Sequence, residues 1–380
     1  MKCLHVTPAF YPATYYGGPI HSVHGLCNAL VTIPGVDLRV LTTDTAGPAP
    51  RDRLPVANSP TRYPAGYDVY FCRRILAVDV APGMLFRLWL MVSWADIVHI
   101  TGVYSFPTIP VLLACRILGK PVVWSPRGAL QRWERASRPA LKQTWELVCR
   151  ALIDNRKCVL HVTAESEAED STRRIPGVAT VVIPNGVDVP DFQARSSWPK
   201  GGPLRLLFIG RLHPIKGIEN LLHAIAATEA GTVSLTLCGD GEAAYAQGLR
   251  VLAAKLGLGD AVRFAGHVEG EAKLRAFGDA DLCVIPSHSE NFGMVVAEAL
   301  ASGVPVVAST GTPWAGLEQH GCGLWVSNEP ASLAAAIMSL RDRDLAAMGA
   351  AGRAWMETEY GWAAIGHRMA EVYADLLKRG

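Results

Sequence analysis

The stretch SHSENFGMVVAEALASGVPVV occupies residues 287–307 and joins a polar loop to an apolar helical pattern. ADLCVIPS, which leads into it, is typical of a buried strand, and MVVAEALASG is typical of a helix that stops at Gly303. Glu290 lies in the loop near the start of this helix. Glu298 lies within the apolar run, whose side chains predict burial, so its carboxylate needs hydrogen-bond donors to offset the cost of leaving water.

Two interpretations account for these carboxylates. A structural salt bridge explains either of them alone. The helical three-and-four spacing places Glu298 close to residues 294 and 295, so both carboxylates could face one crevice. Sugar and ribose hydroxyl groups would then donate hydrogen bonds to them, and for the pair we favour this ligand-binding interpretation.

Strand-like apolar segments alternate with helical ones along the chain, which predicts parallel sheets covered on both faces. A linker-like segment rich in Pro, Gly, Asn and Asp spans 183–204. We therefore expect an α/β protein with two Rossmann-like lobes, 1–185 and 186–361, whose parallel sheets face a central cleft. The predicted strands are KCLHVTPAF, DLRVLTTD, ADIVHITG, KPVVWSPRG, CVLHVTAES and ATVVIPNG, then LRLLFIGRL, VSLTLCGDG, VRFAGHV, ADLCVIPS and VPVVAST.

The charge is near balance at +2, so no nucleic-acid partner is expected. Its distribution is uneven, because residues 1–183 carry 20 Lys and Arg against 13 Asp and Glu, and residues 184–380 carry 16 against 21. A basic first half suggests a face for an anionic partner on one lobe.

The cysteine pattern and the apolar segments limit where the protein works. Nine cysteines contain no C-x-x-C pair, which favours free buried thiols in a reducing cytosol over a disulfide scaffold or a zinc site. The first residues lack the long apolar core of a signal peptide. The apolar stretch 81–97 is interrupted by Arg87 and is too short to span a bilayer. We expect a cytoplasmic protein that is soluble or peripheral to a membrane.

Three loops at predicted strand ends carry candidate ligand-binding groups, for a phosphate in the first two and for a nucleotide base or ribose in the third. In GRLHPIKG (210–217), Arg211 and Lys216 lie beside a predicted helix start and suit a diphosphate, although two solvated loop charges would look the same. In YYGGP (15–19), Gly17 and Gly18 allow close approach to a phosphate, but a plain turn also fits. Gly239, in LCGDGE, could approach a nucleotide or simply form a turn.

The first lobe contributes two further loops, HITGVYS (99–105) and SPRGAL (125–130). His99, Thr101 and Arg127 follow or end apolar strands and are candidates to face the cleft. A strand histidine is more often a buried core residue. Arg127, which precedes Gly128, is the stronger candidate and would bind an anion.

Glu290 and Glu298 form an E-x7-E pattern, and GRLHPIKG, IPNGVD and YYGGP occur with it in the expected order. With these motifs the chain resembles, nearly end to end, a retaining glycosyltransferase of family 4 with the GT-B architecture. SPRGAL and TGTPW also resemble a bacterial subgroup that builds surface polysaccharides. The resemblance implies that the terminal helix, 362–380, crosses back to the first lobe.

The resemblance also implies roles for the candidate residues. Arg211 and Lys216 would bind the diphosphate of a nucleotide-sugar donor, and Glu298 would hold the ribose hydroxyl groups. Glu290 would contact the transferred sugar. The other implied contacts are backbone N–H groups at Asn291, Phe292 and Gly293 near the sugar, and at Gly17 and Gly18 near the distal phosphate.

The chain departs from the family pattern at two places. Many relatives carry a histidine that faces the reacting sugar where this chain has Thr101, so only the earlier His99 remains as a candidate. TGTPW replaces a familiar glycine pair, and Thr312 or Trp314 could contact the donor or close a turn.

The expected chemistry needs no metal cofactor, because protein cations and a helix N-terminus would stabilise the negative charge on the departing diphosphate. The alternatives are a nucleotide-sugar epimerase and a non-catalytic sugar-nucleotide-binding protein of the same architecture. A dinucleotide oxidoreductase is disfavoured, since the first loop lacks G-x-G-x-x-G.

The acceptor is expected to be a saccharide, and a lipid-linked one is favoured. The segment 131–157 combines Trp133 and Trp145 with seven basic residues, which suits an anionic inner-leaflet surface, although a solvated helix face is equally compatible. Its basic residues are Arg132, Arg135, Arg138, Lys142, Arg150, Arg156 and Lys157.

Overall fold

A computed structural model describes residues 1–49, 51–56, 60–75, 79–131, 139–191, 198 and 201–379. The chain forms two compact units. The first unit comprises Met1–Gly186 together with Trp362–Gly380, and the second unit is Val187–Gly361. The C-terminal segment therefore returns to the unit in which the chain begins.

The first unit is built on an eight-stranded sheet in the order β3-β4-β2-β1-β5-β6-β7-β8, parallel except for the short β3–β4 pair. Its strands are β1 Lys2–Val6, β2 Asp37–Thr43, β3 Thr61–Arg62, β4 Asp68–Cys72, β5 Ile97–Thr101, β6 Val122–Ser125, β7 Cys158–Val162 and β8 Ala179–Val182. Its helices are α1 Gly18–Val31, α2 Gly83–Trp94, α3 Thr108–Leu118, α4 Pro139–Leu152, α5 Glu165–Arg174 and, at the end of the chain, α13 Trp362–Lys378.

Apolar side chains alternate between the two faces of this sheet and bury a layer of helices on each. Leu4 and Val98 pack with the inner sides of α2, α3 and α4. On the opposite face, Cys3 and Ile97 pack with α1 and α13. Burial on both faces explains why the strands read as nearly continuous apolar runs.

The second unit contains a six-stranded parallel sheet in the order β11-β10-β9-β12-β13-β14. Its strands are β9 Leu204–Ile209, β10 Val233–Cys238, β11 Val262–Gly266, β12 Leu282–Ile285, β13 Val306–Ser309 and β14 Gly323–Val326. Its helices are α6 Ile218–Ala226, α7 Ala243–Lys255, α8 Gly270–Asp279, α9 Met294–Ala301, α10 Gly316–Gln319, α11 Pro330–Leu340 and α12 Leu345–Trp355.

The strand orders fix where ligands can bind. In the first unit β1 lies between β2 and β5, and in the second β9 lies between β10 and β12. Successive connections leave in opposite directions from these points, which opens a crevice at the carboxyl ends of the strands. The loops after β9 and β12 are GRLHPIKG and SHSENFG, so two of the sequence motifs meet at one switch point.

The predicted fold class is confirmed: both units are parallel α/β sheets. Every strand that we expected is present, and β3, β4 and β14 are additional. All nine cysteines are buried and free, as expected. None of the helices within the described ranges combines the length and the apolar character needed to cross a bilayer.

Candidate functional site

Lys216 and Glu290 form an ion pair that joins the loop after β9 to the loop after β12. Lys216 Nζ donates to Glu290 Oε1, and Ser287 Oγ donates to the same oxygen at 2.7 Å. The Lys216 and Glu290 side chains are 22% and 14% exposed, so the pair is shielded but still reachable from solvent. A half-shielded pair of this kind is held more firmly than an exposed one and can still exchange partners with a ligand.

Backbone contacts hold these loops in place. The N–H of His288 donates to Ile215 O at 2.8 Å, and the N–H of Glu290 donates to Gly311 O at 2.8 Å. Gly217 has a φ of +61°, and a Cβ there would lie 2.1 Å from Pro286 O. Only glycine satisfies both the left-handed backbone and this close approach. The glycines of the motif thus bring the two loops together.

Arg211 lies in the same loop as Lys216 but is exposed, and it forms no ion pair or hydrogen bond with any residue that the structure describes. The charge of Arg211 acts on His213 in the same loop. Burial, then Arg211 and then Lys216 lower the pKa of His213, whose Nδ1 accepts from the N–H of Ile215 at 3.2 Å. The loop therefore presents one paired cation and one cation available to an anion.

Asn291, Phe292 and Gly293 lead into the N-terminus of α9. Phe292 is buried against Trp314, with ring centroids 5.1 Å apart, and its carbonyl accepts from Trp314 Nε1. Gly293 caps the helix with a φ of +78°. Within the described residues, no acceptor is present for the N–H groups of Phe292 and Gly293. These amides are available donors next to the Glu290 carboxylate.

Glu298 corrects one expectation. Val296, Ala297, Ala299 and Leu300 around it are fully buried, but its own side chain is 28% exposed. It pairs with Lys273 of α8 at 2.6 Å, and no contact joins it to Glu290 among the described residues. The salt-bridge interpretation therefore describes Glu298, and ribose binding stays a prediction that requires Lys273 to share the carboxylate.

Gly239 is held by close packing of loops in the second unit. Its φ is +144°, and a Cβ there would lie 1.8 Å from Gly210 O. The N–H of Gly210 donates to Cys238 O at 3.0 Å, so the turns after β9 and β10 pack against each other. The plain-turn interpretation explains this glycine, and nucleotide contact stays a prediction.

Gly17 and Gly18 lie at the start of α1 in the first unit, as the sequence predicts. Gly17 is the N-cap residue with a φ of +70°, and a Cβ at this position would meet no other atom within 4 Å. The helix has no side-chain cap at this end. The open space and the uncapped end fit a phosphate-binding role, which remains a prediction.

Arg127 follows β6 and has a φ of +54°, in a region of backbone conformation that residues other than glycine rarely adopt. Its Nη1 donates to Asn185 Oδ1, and its Nε is buried without a hydrogen-bond partner in the described part of the chain. Burial lowers the pKa of Arg127 to about 10, and Glu167 opposes this shift. The strained backbone and the half-buried guanidinium single out Arg127, and anion binding by this residue stays a prediction.

His99 is wrong as a candidate for substrate contact. It is 2% exposed, and both of its ring nitrogens are engaged: Nδ1 lies 2.6 Å from the Tyr373 hydroxyl and Nε2 lies 2.6 Å from Ser125 Oγ. Thr101 is also buried and lies 2.9 Å from His5 Nε2. The side chains at the end of β5 therefore point into the first unit, because this strand is covered on both faces.

With both histidines neutral, the direction of each hydrogen bond around His99 follows from one carbonyl. Ile183 O can only accept, so His161 Nε2 donates to it, and His161 Nδ1 accepts from Ser125 Oγ at 2.7 Å. This uses the single Ser125 proton, so His99 Nε2 donates to Ser125 Oγ. His99 Nδ1 then accepts from Tyr373. In this arrangement both histidines are neutral, in keeping with their burial, which lowers the pKa of both well below its ordinary value.

Sequence reasoning missed several partners of the candidate residues. Ser287 lies within the quoted stretch, and its proximity to Glu290 could have marked it. Lys273 and Asn185 carry no comparable sequence signal, because they are distant in sequence from their partners. Packing brings Lys273 to Glu298 and Asn185 to Arg127. Thr312 and Trp314 close their turn, because Thr312 Oγ1 bonds Ser309 O and Trp314 is 1% exposed. Of the basic segment, residues 132–138 lie outside the described residues.

Comparison with known proteins agrees with this geometry. Residues 16–190 match the family described as Glycosyltransferase Family 4, and residues 191–355 match the family described as Glycosyl transferases group 1. A glycogen synthase from Mycobacterium tuberculosis is 27% identical over 97% of this chain and 94% of its own length. A D-inositol 3-phosphate glycosyltransferase from Thermomonospora curvata is 33% identical over 50% of each chain.

The fold is shared with solved structures. The crystal structure of Anabaena Alr3699/HepE in complex with UDP has a TM-score of 0.74 at 19% identity and covers 99% of this chain and 100% of the other. The two glycosyltransferase family models match consecutive stretches that together run from residue 16 to residue 355. The chain is a glycosyltransferase.

Proposed function

We propose that this glycosyltransferase moves a hexose-type sugar from a UDP- or GDP-linked donor to a saccharide acceptor, with retention of anomeric configuration. The observation that carries the proposal is the Lys216–Glu290 pair, with Arg211 exposed beside it, at the carboxyl ends of β9 and β12. Cations for a diphosphate and a carboxylate for sugar hydroxyl groups are both needed to hold an activated sugar.

The proposed donor site lies in the second unit. Departure of the diphosphate concentrates negative charge on its oxygens, and Arg211 and Lys216 would stabilise that charge. The amides of Phe292 and Gly293 would donate to the sugar or phosphate oxygens. Since protein cations take this role, the proposal includes no metal cofactor, and activity should survive a chelator.

Retention requires that the acceptor oxygen attack from the face that the diphosphate leaves. The new bond forms between this oxygen and the anomeric carbon as the bond from that carbon to the diphosphate oxygen breaks. The acceptor proton passes to the departing diphosphate oxygen. No side chain needs to act as nucleophile, which agrees with the burial of His99. Determining the anomeric configuration of the product tests this step.

We propose that the acceptor binds the first unit, where the half-buried cation Arg127 follows β6. We propose a lipid-linked saccharide in exopolysaccharide, lipopolysaccharide or O-antigen synthesis at the inner face of the membrane. The relative from Mycobacterium tuberculosis favours a second candidate, a growing glucan, because its similarity covers nearly the whole chain.

A transfer assay separates these candidates. Labelled UDP- and GDP-sugars are incubated with the protein and either a lipid-linked saccharide or a soluble glucan, and the label in acceptor, free sugar and epimer is measured. We expect label in one acceptor only. Epimerisation without transfer, or binding without turnover on any acceptor, would contradict the proposed function.

A further inference from the structure

The outer surfaces of α2, α3 and α4 expose large apolar side chains. Phe86 is 83% exposed and Leu90 is 74% exposed, one helical turn apart on α2. The neighbouring helices continue the pattern with Ile117 on α3, 62% exposed, and Leu147 on α4, 63% exposed. Monomeric proteins rarely present so many large apolar groups together without a partner. We call this surface the α2–α4 face.

The exposed apolar groups are concentrated in one part of the molecule. α3 contacts both α2 and α4, so the three helices form one layer. Trp89, Leu113, Leu141 and Val148 lie on the same helices and are also exposed. Among the described residues of the second unit, Val251 is the sole exposed large apolar side chain. Chance exposure would be spread over both units.

The exposed charge on these helices has one sign. The helices carry Arg87, Arg116, Lys142 and Arg150. Their single acid, Glu146, is buried, and it pairs with Arg174 at 2.7 Å and accepts from Tyr104. Arg116 and Arg150 are exposed, and Asp154, just beyond α4, approaches Arg116 at 4.0 Å. The α2–α4 face is therefore apolar and cationic, without an exposed carboxylate on its helices.

We propose that the α2–α4 face docks on a bilayer surface that contains anionic lipid. Apolar side chains enter the boundary between headgroups and acyl chains, and the cations meet lipid phosphates. A second copy of this chain fits less well, because a two-fold dimer would join two cationic surfaces whose helices expose no carboxylate to pair with Arg116 and Arg150. The inference extends the proposed function, on which its biological meaning rests, since a lipid-linked acceptor lies in the same bilayer.

Vesicle binding tests the proposal. The purified chain is sedimented with phosphatidylcholine vesicles that contain either no anionic lipid or about 30% phosphatidylglycerol, at low and high salt. We expect salt-sensitive binding to the anionic vesicles only. The double variant Phe86→Ser/Leu90→Ser should bind at least about tenfold more weakly, and Arg150→Gln on the order of fivefold. Val251→Ser, the matched control in the second unit, should bind as the wild type does.

Thermal shifts with UDP and GDP are measured on the same samples to keep the two proposals distinguishable. Nucleotide binding without vesicle binding overturns the docking proposal and leaves the proposed function standing. Vesicle binding without any nucleotide binding supports docking by the α2–α4 face and overturns the proposed function. Equal binding to neutral vesicles, or a dimer in sedimentation velocity that the double variant abolishes and that binds no vesicles, also overturns the docking proposal.

Discussion

Lys216 and Glu290 pair with each other, and the proposed reaction gives each a further partner: the diphosphate for Lys216 and the sugar for Glu290. Lys216 Nζ has three donors, and Glu290 Oε1 uses one of them. A diphosphate can therefore bind Lys216 without displacing Glu290. The pair keeps the cation oriented before the donor arrives, which lowers the cost of organising the site at the moment of reaction.

Replacing Lys216 tests this role. Lys216→Ala should lower kcat for sugar transfer well beyond tenfold, because it removes a charge that acts on the departing diphosphate. Steady-state kinetics on the labelled donor measures the effect. Lys255→Ala, which removes an exposed lysine of α7, is the matched control and should leave kcat within about twofold. A near-wild-type rate for Lys216→Ala contradicts the assignment.

The buried histidines of the first unit make its stability depend on pH. His5 and His99 stack with ring centroids 4.4 Å apart, and His161 lies 5.6 Å from His99. Burial, aided by Arg127, lowers the pKa of His5 to about 3 and lowers the pKa of His99 and His161 well below its ordinary value. Between about pH 3 and 6.5 the unfolded chain binds more protons than the folded chain, so stability falls as the pH falls through this range.

The expected slope is about 1.4 kcal/mol per pH unit for each histidine below about pH 6. Urea unfolding between pH 5 and 7.5 measures it through the free energy of unfolding. His99→Gln should reduce the slope by about 1.4 kcal/mol per pH unit, whatever its effect on absolute stability. His223→Gln changes an exposed histidine of α6 and is the matched control. An unaltered slope in His99→Gln would show that His99 is not kept neutral by the fold.

At the scale of elements, the site depends on turns that approach each other closely. The turn after β10 crosses the turn after β9 at Gly239 and again at Gly241, where a Cβ would lie 2.1 Å from Leu212 O. Backbone atoms form both contacts and cannot move aside cheaply. Close approach of these turns positions the loop that carries Arg211 and Lys216.

Gly239→Ala should therefore destabilise the protein by more than about 2 kcal/mol, because a φ of +144° and a contact of 1.8 Å are both unfavourable for alanine. Urea unfolding measures the change. Gly248→Ala provides the opposite control, since Gly248 lies within α7 with no atom near its Cβ position, and alanine there should stabilise by roughly 0.5–1 kcal/mol. Equal effects of the two substitutions would contradict the packing argument.

The strands were predictable from the sequence because burial on both faces gives continuous apolar runs, as in LRLLFI of β9 and LCVI of β12. Two of the missed strands lie at sheet edges. β14 lies at one edge of its sheet and carries half-buried residues, and β3 has two residues. Edge strands lack a second neighbour, so their sequences carry a weaker apolar signal.

The candidate site was predictable where function requires local sequence and unpredictable where it depends on tertiary contacts. The loops of Lys216 and Glu290 follow adjacent strands, so their meeting follows from the parallel sheet. The pairing of Glu298 with Lys273 depends on how α8 packs against α9. The assignment of His99 failed because strand position alone does not distinguish a side chain at the end of a sheet from one beneath a helix.

At the scale of the whole molecule, α13 belongs to the first unit although the entire second unit separates it in sequence. Ile365, Met369, Tyr373 and Leu376 are buried in the core of that unit. Trp362 fills the space beside Gly25 and Gly186, where any Cβ would lie within 2.3 Å of its ring. The first unit is thus completed by the last residues of the chain.

Tyr373→Phe tests how strongly the terminal helix is tied to the sheet. The change leaves the buried Nδ1 of His99 without its donor, so the free energy of unfolding should fall by about 1–3 kcal/mol. Hydrogen exchange should quicken first in α13. Tyr70→Phe removes a hydroxyl that has no hydrogen bond to a described residue, and it should cost less than about 0.5 kcal/mol. Equal losses in both variants would rule out the proposed role of the hydroxyl.

The central claim is that the loop of Arg211 and Lys216 binds the diphosphate of a nucleotide-sugar. Calorimetric titration of the wild type and of Arg211→Ala with UDP and with GDP tests it most directly. We predict that one nucleotide binds the wild type and that Arg211→Ala binds it at least about tenfold more weakly, with a smaller dependence on salt. Failure of both nucleotides to bind the folded wild type, or an unchanged affinity in Arg211→Ala, would contradict the claim.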